Sequence, residues 1–372
     1  MARKIKRDQV SKTIWGLQVN PPVFFIATAI IILSVALTLI FHDRAEGVFI
    51  NLQELVASNA DWFFIICLNI FIIFLFYLAL SKFGQMRIGG PKAKPEFKTT
   101  SWFAMLFSAG MGISLLFFGV GEPILHFSNP PNGVANESEA AIQAMNFTFL
   151  HYGLQGWAAY ALVGLSMAYF SFTRGLPLTI RSVFYPVLGN KIYGIIGHAI
   201  DILAVLATIF GLATSLGLGV QQIATGLNFV FGWSSEVGMQ ILYIAIVTLI
   251  ATVSVILGVD KGVKILSEWN MRIALFLLLL VVILGPTLFI FRAFVENTGS
   301  YIANLIEISF WSETYTEGKW QNNWTIFYWG WWIGWSPFVG MFIARISKGK
   351  TLREFILGVL LVPSLLAFFW MT

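Results

Sequence analysis

Aromatic side chains are the residues of this chain best suited to specific binding chemistry. Four tryptophans fall within seven residues of one apolar segment: Trp329, Trp331, Trp332 and Trp335. A plain lipid-facing helix gains nothing from indoles at mid-depth, because tryptophan prefers the membrane–water interface. The Ser336-Pro337 pair that follows predicts a break in this helix, since proline removes a backbone donor and frees a carbonyl. The segment therefore predicts an aromatic-walled site inside a membrane.

A second aromatic group lies earlier in the chain, at Tyr152, Trp157 and Tyr160. Each residue taken alone is an ordinary core or interface aromatic. Combined with Trp331, Trp332 and Trp335, however, they predict a box of aromatic faces. Such a box binds a trimethylammonium group, which cannot donate a hydrogen bond, with ~0.5–1 kcal/mol per exposed contact and ~2 kcal/mol or more per desolvated one.

A glycine-rich stretch, Ser108 to Ser114, separates two apolar halves of one predicted span. It includes Gly110, Met111 and Gly112. We predict a break here, whose amides would hold a substrate carboxylate and whose carbonyls would hold a cation. The alternative is close helix packing through small residues. A dinucleotide-binding loop is excluded, because that motif requires a preceding strand.

The composition identifies an integral membrane protein, with 58% hydrophobic and 11% charged residues, whereas soluble domains carry roughly 25% charged residues. About nine apolar runs are long enough to cross a bilayer core of ~30 Å. The fold class expected is therefore all-α. The predicted spans are 22–41, 61–82, 102–124, 143–171, 192–223, 237–258, 272–294, 322–345 and 353–371.

The basic residues predict how these spans are oriented. With a cytoplasmic N-terminus, the inside segments hold 20 of the 23 Lys and Arg residues, which is a strong positive-inside asymmetry. We therefore expect a multi-pass protein of the plasma membrane or inner membrane. The net charge of +5 reports this topology and contact with anionic lipid, and nucleic-acid binding is not implied.

Two interrupted spans lie five apart, one at the glycines and one at Pro337, which is the sequence pointer to an inverted-repeat transporter. The expected organisation is a single transmembrane domain over 1–372. A second repeat would need spans beyond the last one present, so we expect the chain to be C-terminally incomplete. The expected segments are a cytoplasmic tail (1–21), two additional N-terminal spans (22–100), a first repeat (101–295), a surface amphipathic helix (296–319) and the start of a second repeat (320–372).

The polar residues favour sodium over proton coupling. Proton-coupled carriers usually carry an intramembrane acid or histidine, and only His151 is a candidate, while Glu122, Asp201 and Arg345 lie near span ends. Carbonyls and hydroxyls can bind Na⁺ without a carboxylate. The chain also lacks paired catalytic carboxylates and nucleophile or zinc-protease motifs, so neither an enzyme nor a cofactor other than Na⁺ as coupling ion is expected.

The segment Trp324 to Phe355, WTIFYWGWWIGWSPFVGMFIARISKGKTLREF, resembles the signature of the betaine/choline/carnitine transporter family. Gly110–Pro131, Ala207–Gly219 and Gly258–Asn270 are similar to further blocks of that family. The resemblance implies a five-plus-five, sodium-symporter-like fold of twelve spans with about nine present here, and a homotrimer. It also implies an ammonium box at Tyr152, Trp157, Tyr160 and Trp332, with Trp331, Trp335 and Phe338 beside it, and a broken span at Gly110, Met111 and Gly112.

Several positions depart from the family pattern. Tyr152 replaces a tryptophan common in betaine carriers, and Ser114 matches neither the glycine of betaine carriers nor the aspartate of choline carriers. The resemblance implies a sodium site at Thr208, Phe338 and Met111, but Leu212 stands where a second threonine is expected. Asn270 occupies a position that is arginine in sodium-independent exchangers, which favours sodium dependence.

The sequence therefore predicts uptake of a quaternary-ammonium compatible solute such as glycine betaine, coupled to sodium. The transport alternative is a choline, carnitine or sulfonium carrier with different ion coupling. The alternative of another class is a non-transporting osmosensor or membrane scaffold.

Overall fold

Helices dominate the computed structural model, which describes residues 11–14, 16–110, 112–316 and 318–372. A short antiparallel pair of strands, which aligns Thr13 with Gln18, precedes the helices. The strands are β1 (Lys12–Ile14) and β2 (Leu17–Val19). The helices are α1 (Pro21–Ile40), α2 (His42–Leu80), α3 (Thr99–Gly110), α4 (Ile113–Ser128), α5 (Glu137–Tyr152), α6 (Leu154–Ala168), α7 (Tyr185–Leu188), α8 (Ile195–Phe231), α9 (Val237–Ile256), α10 (Lys264–Leu284), α11 (Thr287–Phe310), α12 (Phe327–Ile346) and α13 (Leu352–Met371).

Within the described residues, six helices are long and apolar enough to cross a membrane: α1, α2, α8, α9, α10 with the turn before it, and α13. Most of the apolar side chains in α8 and α9 are exposed, as expected for helices that face lipid. The all-helical membrane class is thus confirmed, whereas the count of nine spans and the inverted repeat stay predictions.

The three other predicted spans are not single helices that are both long and apolar enough to cross a membrane, each for an identifiable reason. The third is divided between α3 and α4, and the fourth between α5 and α6. The eighth, α12, is a continuous helix, but its tryptophans, glycines and serine lower its hydropathy. The seventh span also differs from its predicted bounds, because Gly285 and Pro286 end α10 before α11 begins. The predicted surface helix at 296–319 consequently begins inside α11.

The chain divides into two compact units. The first comprises Met1–Glu96, Ala158–Phe210 and Phe310–Leu357, and the second comprises Phe97–Trp157, Gly211–Ser309 and Gly358–Thr372. In the first unit, the core includes Trp329, Ile343 and Phe355. In the second, α4 packs against α5 and α3 packs against α10. Each unit therefore holds its own share of the residues singled out from the sequence.

Helix α12 continues through Pro337, so the prediction of a helix break at this residue was wrong. The missing N–H of Pro337 frees the carbonyl of Ile333, four residues earlier. The hydroxyl of Ser336 donates to that carbonyl at 2.7 Å. Serine can satisfy a backbone acceptor exposed by proline in a membrane helix. The polar group that would have forced a break is therefore satisfied within the helix.

Replacing Ser336 with alanine is expected to destabilise the protein by about 0.5–1.5 kcal/mol, the usual net contribution of one hydrogen bond. The same change in a Pro337→Ala background should cost less, because the restored N–H can then donate to Ile333. Thermal unfolding of the two single variants and the double variant measures this coupling. Equal costs of Ser336→Ala in both backgrounds would contradict the role assigned to the hydroxyl.

The segment between α2 and α3 is tied to the end of α12 by charge. Glu96 accepts hydrogen bonds from Arg345 Nη1 at 2.6 Å and from Lys348 Nζ at 3.0 Å. Burial tends to raise the pKa of Glu96, but the bonds and charges of the two bases outweigh it and hold the pKa below its ordinary value. All three side chains are partly exposed, so this contact tethers the segment without contributing much stability.

A glutamate with a lowered pKa stabilises the folded protein above its unfolded-state pKa, and the contribution is lost as the pH falls through the lowered value. Glu96→Gln is therefore expected to lower stability by about 0.2–1 kcal/mol at neutral pH. The difference from wild type should vanish in acid, below the ordinary pKa range of glutamate. Unfolding midpoints of both proteins across this pH range provide the measurement, and a difference that grows in acid would refute the assignment.

Candidate functional site

The first unit brings two sequence-predicted aromatic residues into direct contact. Tyr160 from α6 and Trp332 from α12 have ring centroids 4.7 Å apart, with planes inclined by 55°. Their side chains are 5% and 6% exposed, so a cation held against them would be largely desolvated. The tilted arrangement turns the two faces toward different directions, as the walls of a box require. This pair is the best-defined part of the predicted ammonium site.

Glycines allow α6 and α12 to approach closely enough for that contact. A Cβ at Gly164, one turn after Tyr160, would lie 3.1 Å from the carbonyl oxygen of Gly340. A Cβ at Gly340 would lie 2.8 Å from Val163 and 3.0 Å from the backbone nitrogen of Gly164. Small residues at a helix crossing permit such backbone approach in membrane proteins. The Gly164–Gly340 crossing thus helps to place Tyr160 against Trp332.

The remaining tryptophans of α12 extend this aromatic surface. Trp331 stacks on Tyr328 with centroids 6.3 Å apart, and Trp335 meets Phe338 edge to face at 5.7 Å. Both tryptophans are half-buried, and Phe338 is exposed. The indole nitrogen of Trp335 is buried and has no acceptor within the described residues. It can therefore donate a hydrogen bond to a ligand oxygen.

Tyr152 and Trp157 belong to the second unit, where both are almost fully buried. The sequence placed them with Tyr160 on one uninterrupted span, and that expectation is corrected by a break at Gly153 between α5 and α6. A Cβ at Gly153 would lie 2.4 Å from the Phe149 carbonyl oxygen and 3.0 Å from Phe368. Only glycine fits this turn. The four-residue ammonium box stays a prediction.

The glycine-rich interruption lies where the sequence places it. Helix α3 ends at Gly110 and α4 begins at Ile113. A Cβ added at Gly112 would meet nothing within 4 Å, so open space adjoins the backbone here. The first amides of α4 lack intrahelical partners and can bind an anionic group. Met111 and the side chain of Ser114 lie outside the described residues, so the predictions made for them stay predictions.

Of the residues predicted to bind sodium, Thr208 and Phe338 are described. The Thr208 hydroxyl donates to the carbonyl of Ala204 in its own helix at 2.8 Å, which leaves its oxygen able to coordinate a cation. Leu212 is exposed and offers no oxygen ligand. The sodium site therefore stays a prediction.

Sequence reasoning missed a buried polar cluster in the second unit. Glu122 Oε1 lies 3.0 Å from Nε2 of His126 and 2.5 Å from Nδ1 of His151. All three side chains are fully buried. In the sequence, His151 stands as a single intramembrane histidine and Glu122 lies near a span end. The available signal was the four-residue spacing of Glu122 and His126, which puts both on one helix face.

The geometry of this cluster is that of hydrogen bonds. The three atoms that could ligate a metal ion lie within 4.8 Å of one another, but the separations of Glu122 Oε1 from the two imidazole nitrogens, 3.0 Å and 2.5 Å, are those of hydrogen bonds. A carboxyl group shared by two imidazoles joins α4 to α5 without exposing charge. We therefore interpret Glu122, His126 and His151 as a structural polar cluster at the end of α5, next to Tyr152.

Comparison with known proteins adds independent information. A family model described as "BCCT, betaine/carnitine/choline family transporter" matches residues 22–372. A glycine betaine/proline/choline transporter of Vibrio parahaemolyticus is 45% identical over 388 residues, covering 99% of this chain and 70% of the relative. A glycine betaine transporter of Acinetobacter baylyi is 45% identical over 353 residues, covering 95% of this chain and 54% of the relative.

A high-affinity choline transport protein of Escherichia coli K12 is 43% identical over 356 residues, covering 95% of this chain and 53% of the relative. The chain thus spans about half the length of two of these relatives. All three are named as transporters.

Proposed function

Because this chain belongs to the betaine/carnitine/choline transporter family, we propose that it takes up a quaternary-ammonium compatible solute across the membrane. The observation that carries the proposal is the desolvated contact between Tyr160 and Trp332. Their faces can hold an ammonium group that forms no hydrogen bonds. The family assignment confirms the resemblance found in the sequence, and the relatives are transporters rather than enzymes.

Glycine betaine is the proposed solute, with choline as the second candidate. A betaine carboxylate would be received by the first amides of α4 near Gly112, or by the indole N–H of Trp335, which is buried without an acceptor among the described residues. Choline has only a hydroxyl to offer these donors. The names of the relatives include both solutes, so the choice depends on measurement.

Sodium is the proposed coupling ion, with Thr208, Phe338 and Met111 as the proposed ligands. The Thr208 hydroxyl donates its hydrogen bond to the carbonyl oxygen of Ala204, so the lone pairs of the hydroxyl oxygen are left for coordination. Alternating access would rock one group of helices against the rest, as in inverted-repeat carriers. A homotrimer with a cytoplasmic N-terminus is part of the same proposal.

Uptake of labelled glycine betaine into vesicles containing the purified protein tests both the substrate class and the sodium coupling. Inward gradients of sodium and of potassium are compared at equal osmolarity and membrane potential. The proposal expects accumulation only with sodium. Equal uptake in both gradients would overturn sodium coupling, and no uptake of glycine betaine, choline or carnitine would overturn the substrate class.

A further inference from the structure

A cavity of about 450 Å³ lies in the second unit, between α5 and α11. This volume falls within the range of roughly 300–1,000 Å³ found for small-molecule sites. Most of its lining residues are polar, although most of the lining surface is apolar, and they come from the first three turns of α5, the loop before it, and the second half of α11. The polar residues used below are Asn136, Glu139, Gln143, Asn146, Asn304 and Glu307.

Two amide oxygens in this lining are buried acceptors without donors. Asn146 is 5% exposed, and its Oδ1 receives no hydrogen bond from the described part of the chain. Oε1 of Gln143, one turn earlier on α5, is in the same situation. Leaving a buried acceptor unsatisfied costs about 1–3 kcal/mol. A ligand that donates hydrogen bonds would recover this free energy.

The charge of the lining is negative. Glu139 and Glu307 contribute two carboxylates, and none of the described lining residues is basic. Glu139 already accepts from the backbone of Ala135 at 2.8 Å, while Asn136 caps the amide of Glu139. These bonds fix the first turn of α5 and keep the carboxylate in place. An acidic cleft with low-dielectric walls concentrates cations.

On the opposite wall, Asn304 is also held in place by its own helix. Its amide nitrogen donates to the Ser300 carbonyl at 2.8 Å. The carboxylate of Glu307, one turn further along α11, is exposed to solvent. Both walls therefore present oxygen atoms, and the hydrogen bonds of Glu139 and Asn304 hold one side chain on each wall in place for a positively charged ligand.

We propose that this cavity is an accessory binding site for cationic, hydroxyl-bearing ammonium solutes of the choline type. The hydroxyl group would donate to Asn146 or Gln143, and the ammonium charge would lie near Glu139 and Glu307. A zwitterionic betaine has no donor for the amide oxygens, and its carboxylate is repelled by the glutamates. The inference rests on the proposed function for its substrate class and adds a preference within that class.

The position of the cavity connects it to the predicted transport site. Asn146 lies on the same helix as Tyr152, six residues before it, which corresponds to roughly 9 Å along the axis. Positive-inside counting predicts that this end of α5 faces the outside. A choline-type solute that enters from the outside would therefore meet the cavity before it reaches the level of Tyr152.

Equilibrium binding of labelled choline and labelled glycine betaine to the purified full chain tests the proposal. The Glu139→Gln/Glu307→Gln variant removes both charges but keeps the capping interaction, since glutamine also serves at that helix position. At low ionic strength it should bind choline roughly tenfold more weakly, because the acidic lining no longer attracts the cation. Glycine betaine binding should be unchanged, and high salt should reduce the difference for choline.

Glu137→Gln and Glu296→Gln are matched controls, because these acids lie on the same two helices but do not line the cavity. Unchanged choline binding in the double variant would overturn the proposal, as would equal weakening for both solutes or by the control variants. Vesicle uptake separates the two proposals. If the wild type transports neither solute but the double variant loses choline binding, the cavity is supported and the transport function is overturned. If the wild type transports normally but the double variant binds choline unchanged, the transport function is supported and the cavity is overturned.

Discussion

Replacing Trp332 with leucine is expected to abolish detectable binding of glycine betaine. The indole is 6% exposed and in contact with Tyr160, so its cation–π contact is desolvated and worth ~2 kcal/mol or more. Loss of that contact alone weakens binding roughly 30-fold. The change also removes the aromatic pairing that orients Tyr160, which adds to the loss. Tryptophan fluorescence or labelled-solute binding on the purified protein provides the measurement.

Trp332→Phe serves as the conservative variant at the same position, and Trp233→Leu serves as the control at a tryptophan outside the site. Phenylalanine keeps a smaller aromatic face, so binding should weaken less than with leucine. Trp233 lies after α8 and is about half exposed, so its replacement should leave binding unchanged. If Trp332→Leu binds glycine betaine as tightly as wild type while remaining folded, the aromatic site is not where this solute binds.

Replacing Glu122 with leucine is expected to destabilise the folded protein more than Ser336→Ala or Glu96→Gln. Two buried imidazoles share one oxygen of this carboxyl group, and its removal takes that partner from both of them. Each buried polar group left unsatisfied costs about 1–3 kcal/mol. Glu122→Gln retains an oxygen at the same position and should lose much less. Thermal unfolding of the purified variants in detergent ranks them directly.

A double-variant cycle with His151→Leu tests whether the cluster acts as a unit. The combined loss should be smaller than the sum of the two single losses, since Glu122→Leu has already removed the shared bond. Coupling of about 0.5–3 kcal/mol is typical of residues in one hydrogen-bonded network. Strict additivity would show that Glu122 and His151 contribute independently.

The sequence predicted the membrane class and the family because both depend on patterns that do not require tertiary contacts. Apolar run lengths and the placement of basic residues report the bilayer, and the segment around Trp332 carries the family signature. The helix interruption near Gly112 was also accessible, since glycine marks it locally. Tyr160 and Trp332 were assigned to one site from their aromatic faces and from the resemblance; the two rings are in contact in the structure, and their binding role stays a prediction.

Other features could not be read from local sequence. Pro337 predicted a break, but the outcome depended on whether Ser336 would reach the Ile333 carbonyl. The turn at Gly153 is crowded both by the nearby Phe149 carbonyl and by side chains distant in sequence, including Phe368. Likewise, the role of His151 depends on its hydrogen bond with Glu122, which is 29 residues away and on another helix. In each case a side-chain or tertiary contact, which local sequence does not show, decided the outcome.

The hydrogen bond from Ser336 to Ile333 has a mechanical consequence for α12. Bending an ordinary membrane helix stretches backbone bonds, and in lipid the freed groups find no water. At Pro337 that backbone bond is absent from the start, and a rotatable hydroxyl takes its place. The helix can therefore flex beside Trp332 and Trp335 while its acceptor stays satisfied. The proline lets α12 bend near its aromatic residues, and the serine removes most of the energetic penalty of leaving the Ile333 carbonyl without a backbone donor.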